Sequence, residues 1–111
     1  MLTAHDVLRF RRRQASMTVS NVESWHRGDN GRWVWTLELE DDSGTWVLSS
    51  GSNGLHLYRR GSRGMVVITE ELWASVLQAH RASIVSALVQ DLEHAIRRVK
   101  ELRDALKELR R

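Results

Sequence analysis

From Thr69 to Arg111 the chain contains neither Gly nor Pro, and its apolar residues keep a helical period throughout. Val85, Leu88, Leu92, Ala95, Val99, Leu102, Leu106 and Leu109 fall at alternating three- and four-residue spacings, the a and d positions of a heptad. A lone helix with such a seam has nothing to cover it and requires a partner. Nearer its start the same segment is apolar over a broader face: Leu72, Trp73, Val76, Leu77, Ile84, Val85, Leu88 and Val89. A broad face suits packing on a sheet, and a narrow one suits a coiled coil. The expectation is a single long helix with a break near Gln78 to Ala82, roofing a sheet over Leu72 to Val89 and joining chains over Leu92 to Leu109. Its length, roughly 60 Å at 1.5 Å per residue, is too great for one small sheet to cover. Thr69 precedes Glu70 and Glu71 as an N-cap.

Upstream the period changes. Thr3 and Asp6 resemble a capping box ahead of a short helix from Ala4 to Gln14, which ends in Arg11, Arg12 and Arg13. From Met17 to His26, Arg32 to Glu40, Thr45 to Ser50 and Leu55 to Arg60 the pattern alternates with period two. Asp29-Asn30-Gly31, Asp42-Ser43-Gly44 and Ser52-Asn53-Gly54 separate these runs as turns. Met65 to Ile68 adds a fifth short strand or the lead-in to the helix. The fold expected is α+β: a short N-terminal helix, a four- to five-stranded antiparallel sheet and a long C-terminal leucine-zipper-like helix. Residues 1–68 would form the helix-plus-sheet binding domain. Residues 69–111 would pack on the sheet and then oligomerise.

Composition narrows the function classes. Without cysteine there is no disulfide framework, thiol nucleophile or Cys-based zinc site. No run of some eighteen apolar residues exists, and Met1 to Arg13 lack an apolar signal-peptide core, so neither a membrane span nor a signal peptide is expected. A cytoplasmic location is the simplest expectation. His5, His26, His56, His80 and His94 are scattered singly, with no metal-binding pair. Asp41-Asp42 reads as a turn, and neither Gly51 to Gly54 nor Gly61 to Gly64 has a phosphate-loop ending. No catalytic residue, metal or cofactor is expected, and the chain reads as a binding protein rather than an enzyme.

Seventeen basic residues stand against 14 acidic ones, for a net charge of +3, and nearly all the basic residues are Arg. They cluster at Arg9 to Arg13 and at Arg59, Arg60 and Arg63, interleaved with a sheet rich in aromatic side chains. Stacking on aromatic faces beside a cationic track is how single strands are held. Period-two parity offers two faces. One carries Arg32, Val34, His56, Tyr58 and Arg60, extended by Arg59 and Arg63. The other carries Trp33, Trp35 and Trp46, with Trp25 nearby. The helix must cover one of them. Burial favours the tryptophan face as core, with part of the set left to line a cleft at the sheet edge. For Arg11 to Arg13, a solvated helix end and a phosphate contact are both open.

The small antiparallel sheet with Trp33-Val34-Trp35, its nearby arginines and the zipper-like helix from Val85 to Leu109 resembles the ThermoDBP-type single-stranded DNA-binding proteins of archaea. That likeness is architectural and spans most of the chain. It implies a cytoplasmic protein with an aromatic cleft flanked by basic residues and a dimerising helix. A shorter stretch, Arg63-Gly64-Met65-Val66-Val67-Ile68-Thr69-Glu70-Glu71-Leu72-Trp73, is similar to the strand-into-helix segment of PC4-like single-stranded DNA-binding cofactors, although it lacks their lysine and its helix is longer. Both imply single-stranded DNA and a dimer; the expectation for this chain is single-stranded DNA, with RNA as the other strand chemistry, and a homodimer or higher homo-oligomer through the C-terminal helix. In a parallel in-register pair Arg98 would oppose Arg103, which keeps antiparallel and four-helix association open. The competing expectation is a protein–protein interaction adaptor or small regulator that uses the aromatic sheet face and the coiled coil.

Overall fold

The computed structural model describes residues 2–27, 33–51 and 54–111, without the side chains of 24–27, 33 and 34. The elements run α1 (Ala4–Arg13), a 3-10 turn (Gln14–Ser16), β1 (Thr18–Arg27), β2 (Trp33–Asp41), β3 (Gly44–Gly51), β4 (Gly54–Arg59), β5 (Val66–Val67), α2 (Glu70–Ala79) and α3 (Arg81–Leu109). The α+β architecture is the one the periodicities imply.

The five strands form one antiparallel meander in the order β1-β2-β3-β4-β5. A meander needs only tight turns, and between β2 and β3 the Asp42-Ser43-Gly44 cluster supplies one, whereas Asp29-Asn30-Gly31 and Ser52-Asn53 lie outside the described residues. At the β2–β3 turn the Asp41 carboxylate accepts from the Ser43 N–H at 2.9 Å and the Ser43 hydroxyl at 2.6 Å. Gly44 follows at φ 133°, where a side chain would be strained and its Cβ would lie 2.9 Å from the Arg59 guanidinium.

Parity decides which face is covered. Leu37 and Leu39, Trp46 and Leu48, and Leu55 and Leu57 share one face and are buried. α1 contributes Phe10 to that core, α2 contributes Leu72 and Val76, and α3 contributes Ile84. Each such side chain stabilises the fold by about 1.5–3 kcal/mol through burial. All three helices therefore lie on the same face, giving two layers. The other face carries Glu23, Thr36, Glu38, Glu40, Ser49, His56, Tyr58 and Arg60.

Both N-terminal caps form as expected. Thr3 and Asp6 make a reciprocal capping box, and the Thr69 hydroxyl accepts from the Leu72 N–H at 3.1 Å. The long helix is broken where expected, into two helices that meet at His80, which has φ −113° and ψ 17° and is buried. This break falls within the interval where the apolar register lapses. The start of α3 packs on β1, and from Val89 onward every residue is exposed. α3 thus projects from the sheet, and the chain extends to 64 × 30 × 26 Å. Among the described residues no helix is long and apolar enough to cross a membrane.

Candidate functional site

The covered face is not covered evenly. At the β3–β4 end, Phe10 of α1 packs against Trp46 with ring centroids 5.2 Å apart, and Arg59 stacks over the same indole at 4.6 Å. Toward the start of β2 the roof is α2 and the elbow at His80, and these leave an open cleft. Trp35, Trp73, Ala74, Leu77, Gln78, Arg81, Ile84 and Val85 line a volume of about 480 Å³ there. Trp35 reaches the cleft from the core face of β2, and Trp73 from the first turn of α2. Both indoles are half-buried and pack on the core, so their orientation is fixed while part of each ring stays accessible. Gln78 and the exposed Arg81 supply hydrogen-bond donors at the rim. Such a cleft can stack a flat aromatic group and hold a neighbouring anion.

The residues expected at a ligand surface separate into groups. Trp46 is 2% exposed and belongs to the core, which corrects its assignment to a ligand face: Phe10 from α1, which is absent from a strand-parity argument, closes over it. Arg59 falls on this same core face rather than as an extension of the Arg60 face, because it sits directly across the ladder from Trp46. Its guanidinium also donates to the Ser43 carbonyl and, at 3.0 Å, to the Ser43 hydroxyl. Arg60 lies on the open face and is ion-paired with Glu38. Between them Val47 is 1% exposed although its face is open, because Glu38 and Tyr58 flank it across the ladder. His56 and Tyr58 are half-exposed beside it. Glu23, Glu38 and Glu40 make this face less basic than Arg32, Arg60 and Arg63 suggest.

Arg32 and the turn Asp29-Asn30-Gly31 lie outside the described residues, as do the side chains of Trp25, Trp33 and Val34. Arg63 is exposed in the turn between Gly61 and Gly64. Arg11, Arg12 and Arg13 are exposed at the end of α1. Arg13 joins Arg9, Arg59 and Asp41 around a notch of about 80 Å³ over Trp46. There, burial pushes the Asp41 carboxyl up, but hydrogen bonds from Ser43, the Arg59 charge and the Trp46 indole outweigh it and hold the group below its ordinary value.

Along α3, Val85, Leu92, Val99, Leu102 and Leu106 are each about half exposed, and Leu109 is 82% exposed. Ala95 is also exposed, whereas Leu88 is half-buried against its own core. Val89 and Ile96 widen the stripe. Sequence reasoning missed Trp73, Gln78 and Arg81 as members of a site. In the sequence Trp73 reads only as helix packing, and its signal is an indole one position after an inward Leu72. Among the described residues no group of three or more metal-ligating side chains comes together.

No family profile, no curated protein and no solved structure matches this chain, so the residues above are its only guide to function.

Proposed function

We propose that this protein binds single-stranded DNA with little sequence preference, as a cytoplasmic homo-oligomer. The observation that carries the reading is the pairing of two half-exposed indoles, Trp35 and Trp73, in one open cleft with Arg81 at its rim. Stacking contributes about 1–3 kcal/mol per base and tolerates any base, because each has a π face. The level of Trp46 and Arg59 lies roughly 13 Å from Trp35 along β2, at about 3.3 Å per residue. A strand leaving the cleft in that direction approaches Arg9, Arg12 and Arg13 within a few nucleotides. Arg81, Arg63 and Arg11 to Arg13 are among the exposed cations available for phosphates. The apolar row on α3 would hold two or more chains together, and linked sites raise effective concentration on one strand.

The test is a titration of intrinsic tryptophan fluorescence with oligo-dT, oligo-rU and duplex DNA at several salt concentrations. Quenching by the single strand is expected, weakening steeply with salt. Trp73→Leu should lower the affinity at least tenfold. An affinity that does not change with salt, or a Trp73→Leu variant that binds as well as the wild type, overturns the reading.

A second reading has its own support. The Arg60–Glu38 pair and the neighbouring glutamates leave the open face without a continuous cationic track. That favours a protein adaptor whose partner enters the cleft with an apolar side chain. It predicts no fluorescence change with any nucleic acid.

A further inference from the structure

Val85 belongs to two features at once. It is the first residue of the exposed heptad seam, and it lines the Trp35/Trp73 cleft. Whatever covers the seam at this end therefore also borders the cleft. We infer that a second copy of the chain pairs with α3 in antiparallel register, and that Arg110 and Arg111 of the partner subunit complete the rim of the cleft. The ligand part of this inference rests on the strand-binding reading above.

The layers of the seam favour antiparallel pairing. In a parallel pair each seam residue faces its own copy, so Ala95 meets Ala95 and the middle of the seam is left thin. In the antiparallel pair an a position faces a d position. Val85 then meets the partner's Leu109, Leu88 meets the partner's Leu106, Leu92 meets the partner's Leu102, and Ala95 meets the partner's Val99. The whole seam is used, and every small or branched residue faces a larger one or one of similar size. Charge points the same way. Parallel pairing sets Arg98 against Arg103 on both flanks, whereas antiparallel pairing keeps one such contact, Arg98 with its own copy across the two-fold. Ile96 then lies near its own copy instead of beside Asp91. The start of α3 also carries the sheet, so antiparallel pairing puts the two sheets at opposite ends of the rod.

This register brings Leu109 of the partner subunit beside Val85, and Arg110 and Arg111 follow it at the level of Ile84 and Ser83. Together with Arg81 they surround the cleft with cations. A phosphate bound among them offsets their mutual repulsion, so strand binding and pairing support one another. In a parallel pair the same arginines would sit roughly 38 Å from Val85, at 1.5 Å per residue.

The cysteine-free chain allows a direct test on the full-length protein. Single variants Val85→Cys and Leu109→Cys are oxidised separately and after mixing. Cross-linking only in the mixture is expected. Cross-linking of Leu109→Cys with itself, or a monomeric mass in solution for the unmodified chain, overturns the inference. Arg110→Ala/Arg111→Ala is then titrated with oligo-dT. Its affinity should fall threefold to tenfold at low salt. The slope of log affinity against log salt should become shallower by roughly 1.4, at about 0.7 per phosphate contact, with the dimer mass unchanged. Wild-type affinity and slope in that variant overturn the role of these arginines while leaving strand binding intact. A wild-type chain that binds no strand overturns the binding reading and the arginine role with it, and the cross-links still decide the register.

Discussion

The ring Nε2 of His80 donates to the main-chain carbonyl of Gln14 across 2.7 Å, deep between the end of α1 and the elbow of α2 and α3. A carbonyl can only accept, so this nitrogen carries the proton. The bond ties the helical elbow to the turn that leads into β1, and so fixes where Arg81 and Val85 stand relative to Trp35. Replacing His80 by Ala strands the carbonyl and opens a cavity, at a cost of about 1–3 kcal/mol. Urea denaturation should show that loss. Amide exchange should quicken around residues 78–84 more than in β2 and β3. Uniform quickening, or none, would mean that the contact does not hold the elbow.

Arg59 is a structural cation. Its guanidinium caps the Trp46 ring and binds Ser43, so Arg59→Ala should destabilise the fold by about 1–2 kcal/mol. Affinity for oligo-dT should change less than twofold when measured well below the melting temperature. Arg12→Ala, by contrast, should leave the melting curve in place and reduce binding. A larger binding loss for Arg59→Ala than for Arg12→Ala would return Arg59 to the ligand surface.

Trp46 and Trp35 show where sequence reading stops. Alternation placed both on the covered face, and the strands, the β2–β3 turn and the helix caps followed from local rules that the fold does not override. What separates a core indole from a cleft indole is which helix lands on it. Phe10 closes over Trp46, while the elbow at His80 stops short of Trp35. Those contacts join residues far apart in sequence, and no periodicity records them. The seam on α3 was legible because a heptad is a local pattern. The cleft was not, because Trp73 and Arg81 reach it only through the bend between two helices.

Glu38 is 8% exposed and neutralises Arg60 on the open face. Glu38→Gln releases that cation. If a strand crosses this face beside Tyr58, affinity at low salt should rise about twofold to fivefold and the salt slope should steepen by about 0.7. If the strand stays in the cleft, both should hold at wild-type values. Tyr58→Leu provides the matching loss. The two variants should move together, and their disagreement would show that the effect of Glu38→Gln comes from stability alone.

Two aspartates contribute to the acid limb of stability. Hydrogen bonds from Thr3 hold the Asp6 carboxyl below its ordinary value of 3.8, with help from Arg9. Asp41 is held below the same value despite burial. A folded-state value below the unfolded one means that the ionised form is favoured by folding. The contribution is full above about pH 4 and is lost as pH falls through the folded values. Thermal melts of wild type and Asp41→Asn should therefore differ most above pH 4 and converge toward pH 2. Curves that stay parallel across that range would remove Asp41 from the acid limb.

If the α3 seam joins chains, stability becomes a function of concentration. Leu102 and Leu106 are half exposed in the single chain and touch none of its core, so changing them costs the monomer little. If a partner chain covers them, the melting temperature must rise with protein concentration by mass action. Leu102→Lys/Leu106→Lys should abolish that rise and halve or further reduce the mass in solution. The circular dichroism of the sheet should be unchanged, while the helical signal should fall as the unpaired end of α3 frays. Oligo-dT affinity should fall as well, because two cleft sites no longer act on one strand. A melting temperature that is flat with concentration in the wild type would leave the seam without a second copy, and the projecting helix would then need a different protein to cover it.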